Sequence, residues 1–166
     1  QVTSSGCKPT VFYIGADRCT SINKWSYEEL VREKSFDQII LSARWSENDV
    51  DGLLETVAYL EELVSTVVVM GPSMEYGVAL PRLLTYSDEK YKASEASEVS
   101  RISKIDMVLE LALSETNAKY ISIFKLTCGD AGKCISVTQS NIPISFDYGH
   151  FTHEGAVEIL SRSSDW

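Results

Sequence analysis

Basic clusters and long apolar runs are missing from this sequence, and histidine is scarce, with two residues. Lys and Arg total 15 against 24 Asp and Glu, a net charge of −9, and no stretch concentrates the basic residues. A polyanion would meet long-range repulsion with nothing to offset it, which argues against nucleic acid as a partner. No apolar run approaches the roughly 18 residues that cross a bilayer. The opening Gln1-Val2-Thr3-Ser4-Ser5-Gly6 has neither the basic nor the apolar region of a signal peptide. A first residue that is Gln rather than Met predicts a processed or trimmed chain, with room upstream for a membrane segment or signal. Internal repeats, low-complexity tracts and domain linkers are also missing, so residues 1–166 are expected to form one domain. With 44% hydrophobic and 23% charged residues, the composition is that of a chain that folds.

Cysteine is scarce but patterned. The four residues form two local pairs, Cys7 with Cys19 and Cys128 with Cys134, each bracketing a glycine-containing segment. Two disulfides are the simplest reading and would place the domain outside the cytoplasm; unlinked buried thiols are the alternative. A four-cysteine zinc site usually has knuckles with roughly two to four intervening residues, and neither spacing here fits.

Three short segments rich in β-branched residues read as buried strands, most simply parallel: Gln38 to Ser42, Thr66 to Met70 and Tyr120 to Leu126. Helical patterns lie between them at Tyr27 to Arg32, Val50 to Val64 and about Glu95 to Ser114. In the last, Ala96, Val99, Ile102, Ile105, Leu109 and Leu113 recur at spacings of three and four. Strand-helix alternation predicts an α/β sandwich with a mainly parallel sheet, whose ligands collect beyond the carboxyl ends of the strands. The loops to watch therefore begin at Ala43-Arg44-Trp45, at Gly71-Pro72-Ser73 and at Cys128.

Both histidines fall in Asp147-Tyr148-Gly149-His150-Phe151-Thr152-His153. Asp147 and His150 are close enough for a carboxylate to hold one ring nitrogen and leave the other facing a substrate, the base-and-orienter half of a hydrolytic triad. An Asx turn with a helix-capping polar cluster fits the same residues. A metal site on Asp147, His150 and His153 is a third reading, for which no fourth ligand is identifiable. Thr152 is suited to cap a final helix starting near His153, with Glu154 in its first turn. Arg44 could donate to an oxyanion, or simply be a solvated Arg beside a half-buried Trp45. Gly71 and Pro72 read as turn-formers, since the loop lacks the lysine of a P-loop. Ser73 is a nucleophile only in principle, because nothing nearby in sequence activates it.

The order of Cys7-Lys8-Pro9, Cys19, Ile40-Leu41-Ser42-Ala43-Arg44-Trp45, Val69-Met70-Gly71-Pro72-Ser73, Tyr120 leading to Cys128 and Cys134, and Asp147-Tyr148-Gly149-His150-Phe151-Thr152 resembles the SGNH-type domain fused to acyltransferase-3 membrane proteins, the bacterial O-acetyltransferases of lipopolysaccharide O-antigen and related surface glycans. The similarity spans almost the whole chain. It implies a flavodoxin-like three-layer fold (SGNH hydrolase-like) and a Ser, Asp and His triad that passes an acyl group to a sugar hydroxyl or to water. Asp147 and His150 match the family's Asp-x-x-His. Arg44, Trp45, Gly71 and Ser73 fall in the loops expected to supply the oxyanion and substrate contacts. The resemblance further implies a carbohydrate acceptor, an acyl donor delivered by a membrane acyltransferase domain, a place at the periplasmic or extracytoplasmic face of the inner membrane, and no cofactor or metal.

One part of the family pattern is missing. The nucleophilic serine belongs to a Gly-Asp-Ser string upstream of the Cys and Pro element, and no Gly-Asp-Ser occurs in this sequence. The nearest string, Gly15-Ala16-Asp17-Arg18, has no hydroxyl. Two explanations fit: a C-terminal portion of a longer chain, which is the expectation, or a degenerate relative that binds without turnover. The competing functional readings are a non-catalytic glycan-binding or partner-docking domain, with an aromatic platform from Trp25, Trp45 or Tyr76, and a simple carbohydrate esterase.

Overall fold

A computed structural model of the chain describes residues 1–12, 16–86, 88–129 and 133–163, and only the backbone of residues 88–90, 93, 94, 96 and 97. Gly15 and the side chain of Ala96 thus lie outside the described residues, as does part of the loop between Cys128 and Cys134. The predicted strands at Gln38–Ser42 (β1) and Thr66–Met70 (β2) form as expected and pair in parallel, Gln38 opposite Thr66 and Ser42 opposite Met70. Lys119–Ile121 (β3) pairs in parallel on the other side of β2, so the order is β1-β2-β3. Val67, Val68 and Val69 are all buried, which is why β2 reads as a continuous apolar run rather than an alternating one.

The predicted third strand ran too far. Strand pairing stops at Ile121, and Ile123–Cys128 is a helix (α6). Ser122 causes the switch: its hydroxyl accepts the Lys125 N–H at 2.9 Å and donates to the buried Asp106 carboxylate at 2.8 Å. An apolar run alone does not separate strand from buried helix, whereas a capping serine does. Gly129 closes the helix at φ 61°, a conformation that favours glycine.

The chain divides into two compact units, Gln1–Gly71 with Met107–Ile121, and Pro72–Asp106 with Ser122–Trp166. The first holds the sheet and helix α3 (Val50–Glu61), which buries Leu53, Val57 and Leu60. Its first helix is longer than periodicity indicates. Asp17–Lys24 (α1) runs through a π-helical stretch, Trp25–Leu30, into Val31–Glu33 (α2). The amino-terminal turn is polar, so no apolar stripe announced it; instead it is tied to the preceding loop. The Cys7–Cys19 disulfide forms there, Asn23 donates to the Lys8 and Thr10 carbonyls, and the Tyr27 hydroxyl donates to the Pro9 carbonyl.

The second unit holds α4 (Leu80–Leu83), most of α5 (Asp88–Leu113), α6 and α7 (His153–Leu160). Ile102, Ile105, Leu109 and Leu113 of α5 are buried at the spacing the sequence shows. Cys128 and Cys134 are joined by the second disulfide, so neither cysteine pair is available as thiolate ligands for zinc.

The outer edge of β1 has no strand partner among the described residues. Ile40 is 48% exposed there, beside a groove of about 280 Å³ lined by Ile22, Tyr27, Leu30, Val31 and Phe36. A free, apolar strand edge templates pairing with another chain, and an edge lysine blocks it. Ile40→Lys should therefore reduce concentration-dependent association of the chain in sedimentation velocity while leaving its circular dichroism unchanged. Undiminished association would show that this edge is not the adhesive surface.

Candidate active site

The loop carrying the Asp-His pair closes on itself through local contacts. Ser145 and Phe151 form an antiparallel bridge, and the Phe146 N–H donates to the His150 carbonyl at 3.0 Å, which closes the turn over residues 146–150. Within it the two oxygens of Asp147 have different partners. Oδ1 accepts the backbone N–H groups of Gly149 at 2.9 Å and His150 at 2.8 Å, while Oδ2 lies 2.7 Å from His150 Nδ1. The Asx turn and the carboxylate-held imidazole are therefore not alternatives, because one side chain makes both.

Those contacts set the chemistry. The backbone N–H groups of Gly149 and His150 pull the Asp147 carboxyl down to about 2; burial opposes them, and the imidazole adds a smaller lowering of its own. Asp147 is thus an anion across the physiological range, which assigns the proton of neutral His150 to Nδ1 and leaves the Nε2 lone pair free to accept one. His150 is exposed and Nε2 has no hydrogen-bond partner among the described residues.

Helix α7 fixes the far end of the loop. The Thr152 hydroxyl accepts the Gly155 N–H at 3.0 Å and donates to the Pro143 carbonyl at 2.9 Å, so the predicted cap also ties the helix to the preceding strand-like segment. A Cβ on Gly155 would lie 2.2 Å from the Ile144 carbonyl oxygen, a separation no side chain tolerates. On the other side, the N–H groups of Tyr76 and Leu80 donate to the carbonyls of Tyr148 and Asp147 at 2.7 and 3.0 Å. Glu75, buried under Gly149, is held by Arg101 at 2.9 Å, and Arg101 also pairs with Glu98. Nothing in the sequence marks Glu75, Arg101 or Gly155, since each acts on a partner distant along the chain or on a backbone atom.

The remaining predicted residues have other duties. Trp45 is 3% exposed; its indole N–H donates to the Met70 carbonyl at 2.9 Å and its backbone N–H to Ala43. Lys8 covers its ring and pairs with Asp49 at 2.8 Å. The Gly71 N–H donates to the Ile121 carbonyl at 2.8 Å, extending the sheet, so neither Trp45 nor Gly71 has a backbone donor left for an oxyanion. Arg44 is exposed, its carbonyl accepting from Lys8, and Ser73 is half-buried. Arg44, Trp45 and Gly71 belong to the first unit, and Ser73, Asp147 and His150 to the second.

The expected aromatic platform needs correction. Trp45 and Tyr76 are buried, Tyr76 at 4% exposure, and cannot present a face to a sugar; only Trp25 of the three is exposed. The exposed rings beside the imidazole are instead Phe146 and Tyr148. Among the described residues no group of three His, Cys, Asp or Glu side chains is placed to hold a metal ion, so His153, exposed at the start of α7, does not complete a site with Asp147 and His150. Nor is any described helix long and apolar enough to cross a membrane.

The parallel sheet with its helices defines an α/β protein, and the second unit carries an imidazole held by a carboxylate. More specifically, the chain belongs to the family of SGNH domains fused to AT3 domains, whose model matches residues 1–162. The fold is also similar to a solved structure, the periplasmic domain of a lipopolysaccharide acetyltransferase of Salmonella ser. Paratyphi A, with a TM-score of 0.74 and 19% sequence identity over 93% of this chain. The chain spans 66% of that structure's length. No curated protein matches it.

Two outcomes follow from this geometry. Asp147 has a folded value near 2 against an ordinary 3.8, so the unfolded chain binds more protons between those limits and stability contributed by Asp147 is lost as the pH falls through them. Asp147→Asn should remove that part of the acid dependence, measured as the difference in urea midpoints between variant and wild type from pH 5 to pH 2; parallel curves would contradict it. Gly155→Ala should cost about 2–4 kcal/mol by overpacking against backbone, read by the same denaturation. A cost below about 0.5 kcal/mol would show that α7 can withdraw from Ile144.

Proposed function

We propose that the chain is part of an acyltransferase that moves an acyl group, most simply acetyl, onto a hydroxyl of a bacterial surface carbohydrate. The observation that carries the reading is the 2.7 Å contact between Asp147 and His150 with Nε2 left open, inside an SGNH domain of the AT3-fused family. His150 takes the proton of a serine that attacks the acyl carbonyl, and Asp147 stabilises the imidazolium that forms. The proton then passes to the leaving group. In the second half-reaction, Nε2 takes the proton of a sugar hydroxyl, which attacks the acyl-serine; the acyl–oxygen bond to serine breaks, the imidazolium returns the proton to the serine oxygen, and the sugar leaves as the ester. Arg44 and Ser73 are the residues left to test as oxyanion or substrate contacts. The reaction as written needs no cofactor.

The serine comes from outside this sequence, which contains no Gly-Asp-Ser. The unpartnered edge of β1 is consistent with a sheet that takes on a further strand. The donor group reaches the domain from a membrane acyltransferase portion, as the AT3-fused family supports, and the domain works on the periplasmic side of the inner membrane, where its disulfides persist. Residues 1–166 act as one SGNH domain within a longer polypeptide.

A second reading, a glycan-binding or partner-docking domain without turnover, is favoured by the same missing motif. An assay of the chain beside one extended upstream, with an acetylated chromogenic ester, separates the two. The extended form should hydrolyse the ester, with a loss of about 10⁴-fold in kcat for His150→Ala and for Asp147→Asn. Inactivity of both forms, or activity indifferent to His150, would sink the enzyme in favour of the binding module.

A further inference from the structure

Phe146 and Tyr148 present a chemistry that the acyl-transfer machinery does not use. Both side chains are exposed, Phe146 at 61% and Tyr148 at 42%. The loop does not need the Phe146 ring to hold its shape, because its closure is made by backbone N–H and carbonyl groups and by the Asp147 carboxylate. Yet the rings are not scattered. Each has its centroid 5.8 Å from that of the His150 imidazole, Phe146 nearly parallel to it at 16° and Tyr148 inclined at 66°. Gly149, between Tyr148 and His150, adds no side chain that would screen the pair.

We propose that Phe146 and Tyr148 form the acceptor subsite of this domain, a two-ring corner whose steeply inclined faces let a pyranose stack on one ring and abut the other with one hydroxyl directed at His150 Nε2. The inference rests on the acyl-transfer reading above for the identity of the base. A pyranose has one face made largely of C–H groups, whose partial positive charge matches the negative face of an aromatic ring, while its hydroxyls project from the rim. Rings that flank the base position such a rim hydroxyl within reach of the nitrogen that must deprotonate it, which is the orientation a transfer to alcohol requires. The rings discriminate by shape rather than by charge, which suits a domain with a net charge of −9 and a neutral acceptor.

Saturation-transfer NMR on the chain itself tests this without any need for the serine. The probes are methyl β-D-glucopyranoside, methyl α-D-galactopyranoside and methyl α-L-rhamnopyranoside, titrated against wild type, Phe146→Ala, Tyr148→Ala, Phe146→Trp and His150→Ala. At least one glycoside should bind wild type, weaken about fivefold or more on loss of either ring, and be retained by Phe146→Trp and His150→Ala. Binding unchanged by both ring deletions, or no transfer to any of the three probes from wild type, overturns the subsite. In the upstream-extended protein, ring deletion should lower transfer to the glycoside that binds by a larger factor than it lowers hydrolysis of the small chromogenic ester. A loss on that ester as large as for His150→Ala would instead make the rings positioning residues for the imidazole and overturn the proposal. The two readings fail separately: ring-dependent glycoside binding with no His150-dependent esterase activity supports the two-ring subsite and removes the acyl-transfer reading.

Discussion

The Asp147 carboxylate is the constraint on which the site depends, because its two oxygens join backbone shape to side-chain chemistry. Oδ1 gathers the N–H groups of Gly149 and His150 and so folds the turn; Oδ2 meets the imidazole that this turn brings round. The backbone bonds also keep the carboxylate ionised, and ionisation is what lets it hold Nδ1–H and oppose the charge of an imidazolium. The fold of the turn and the placement of the imidazole therefore draw on the same anion. A neutral amide in its place would accept fewer bonds and carry no charge.

Around that turn the structure is braced from both sides. Thr152 fastens α7 to the Pro143 carbonyl, with Gly155 allowing helix and strand-like backbone to approach closely, and the segment around Tyr76 and Leu80 donates to the carbonyls of Tyr148 and Asp147. The consequence is an exposed imidazole on a rigid base, flanked by two exposed rings. On the proposed mechanism such bracing would matter, because a base that deprotonates a hydroxyl gains from being placed before the substrate arrives.

The parts of the fold legible in the sequence are those set by short-range pattern. β1 and β2 fall where β-branched runs place them, the buried face of α5 follows its spacing of three and four, and α7 starts behind its threonine cap. The misreadings have one cause. The run from Tyr120 to Leu126 continues as a helix because Ser122 finds Asp106, 16 residues earlier, and α1 extends through polar sequence because Cys19, Asn23 and Tyr27 are tied to the loop before it. Apolar periodicity carries no trace of such partners.

The same division runs through the site. Asp147, His150 and Thr152 lie within six residues, and their partners are reached by local turns, so sequence alone determined the pair and the cap. Whether a ring is exposed or an amide is committed to a partner was decided only by tertiary structure. Trp45 and Tyr76 are aromatic in the sequence and buried in the fold, the Gly71 N–H is committed to Ile121, and Phe146 and Tyr148 stay exposed beside the base. Residue type states which bonds a group can make; burial and distant partners decide which of them remain for a substrate.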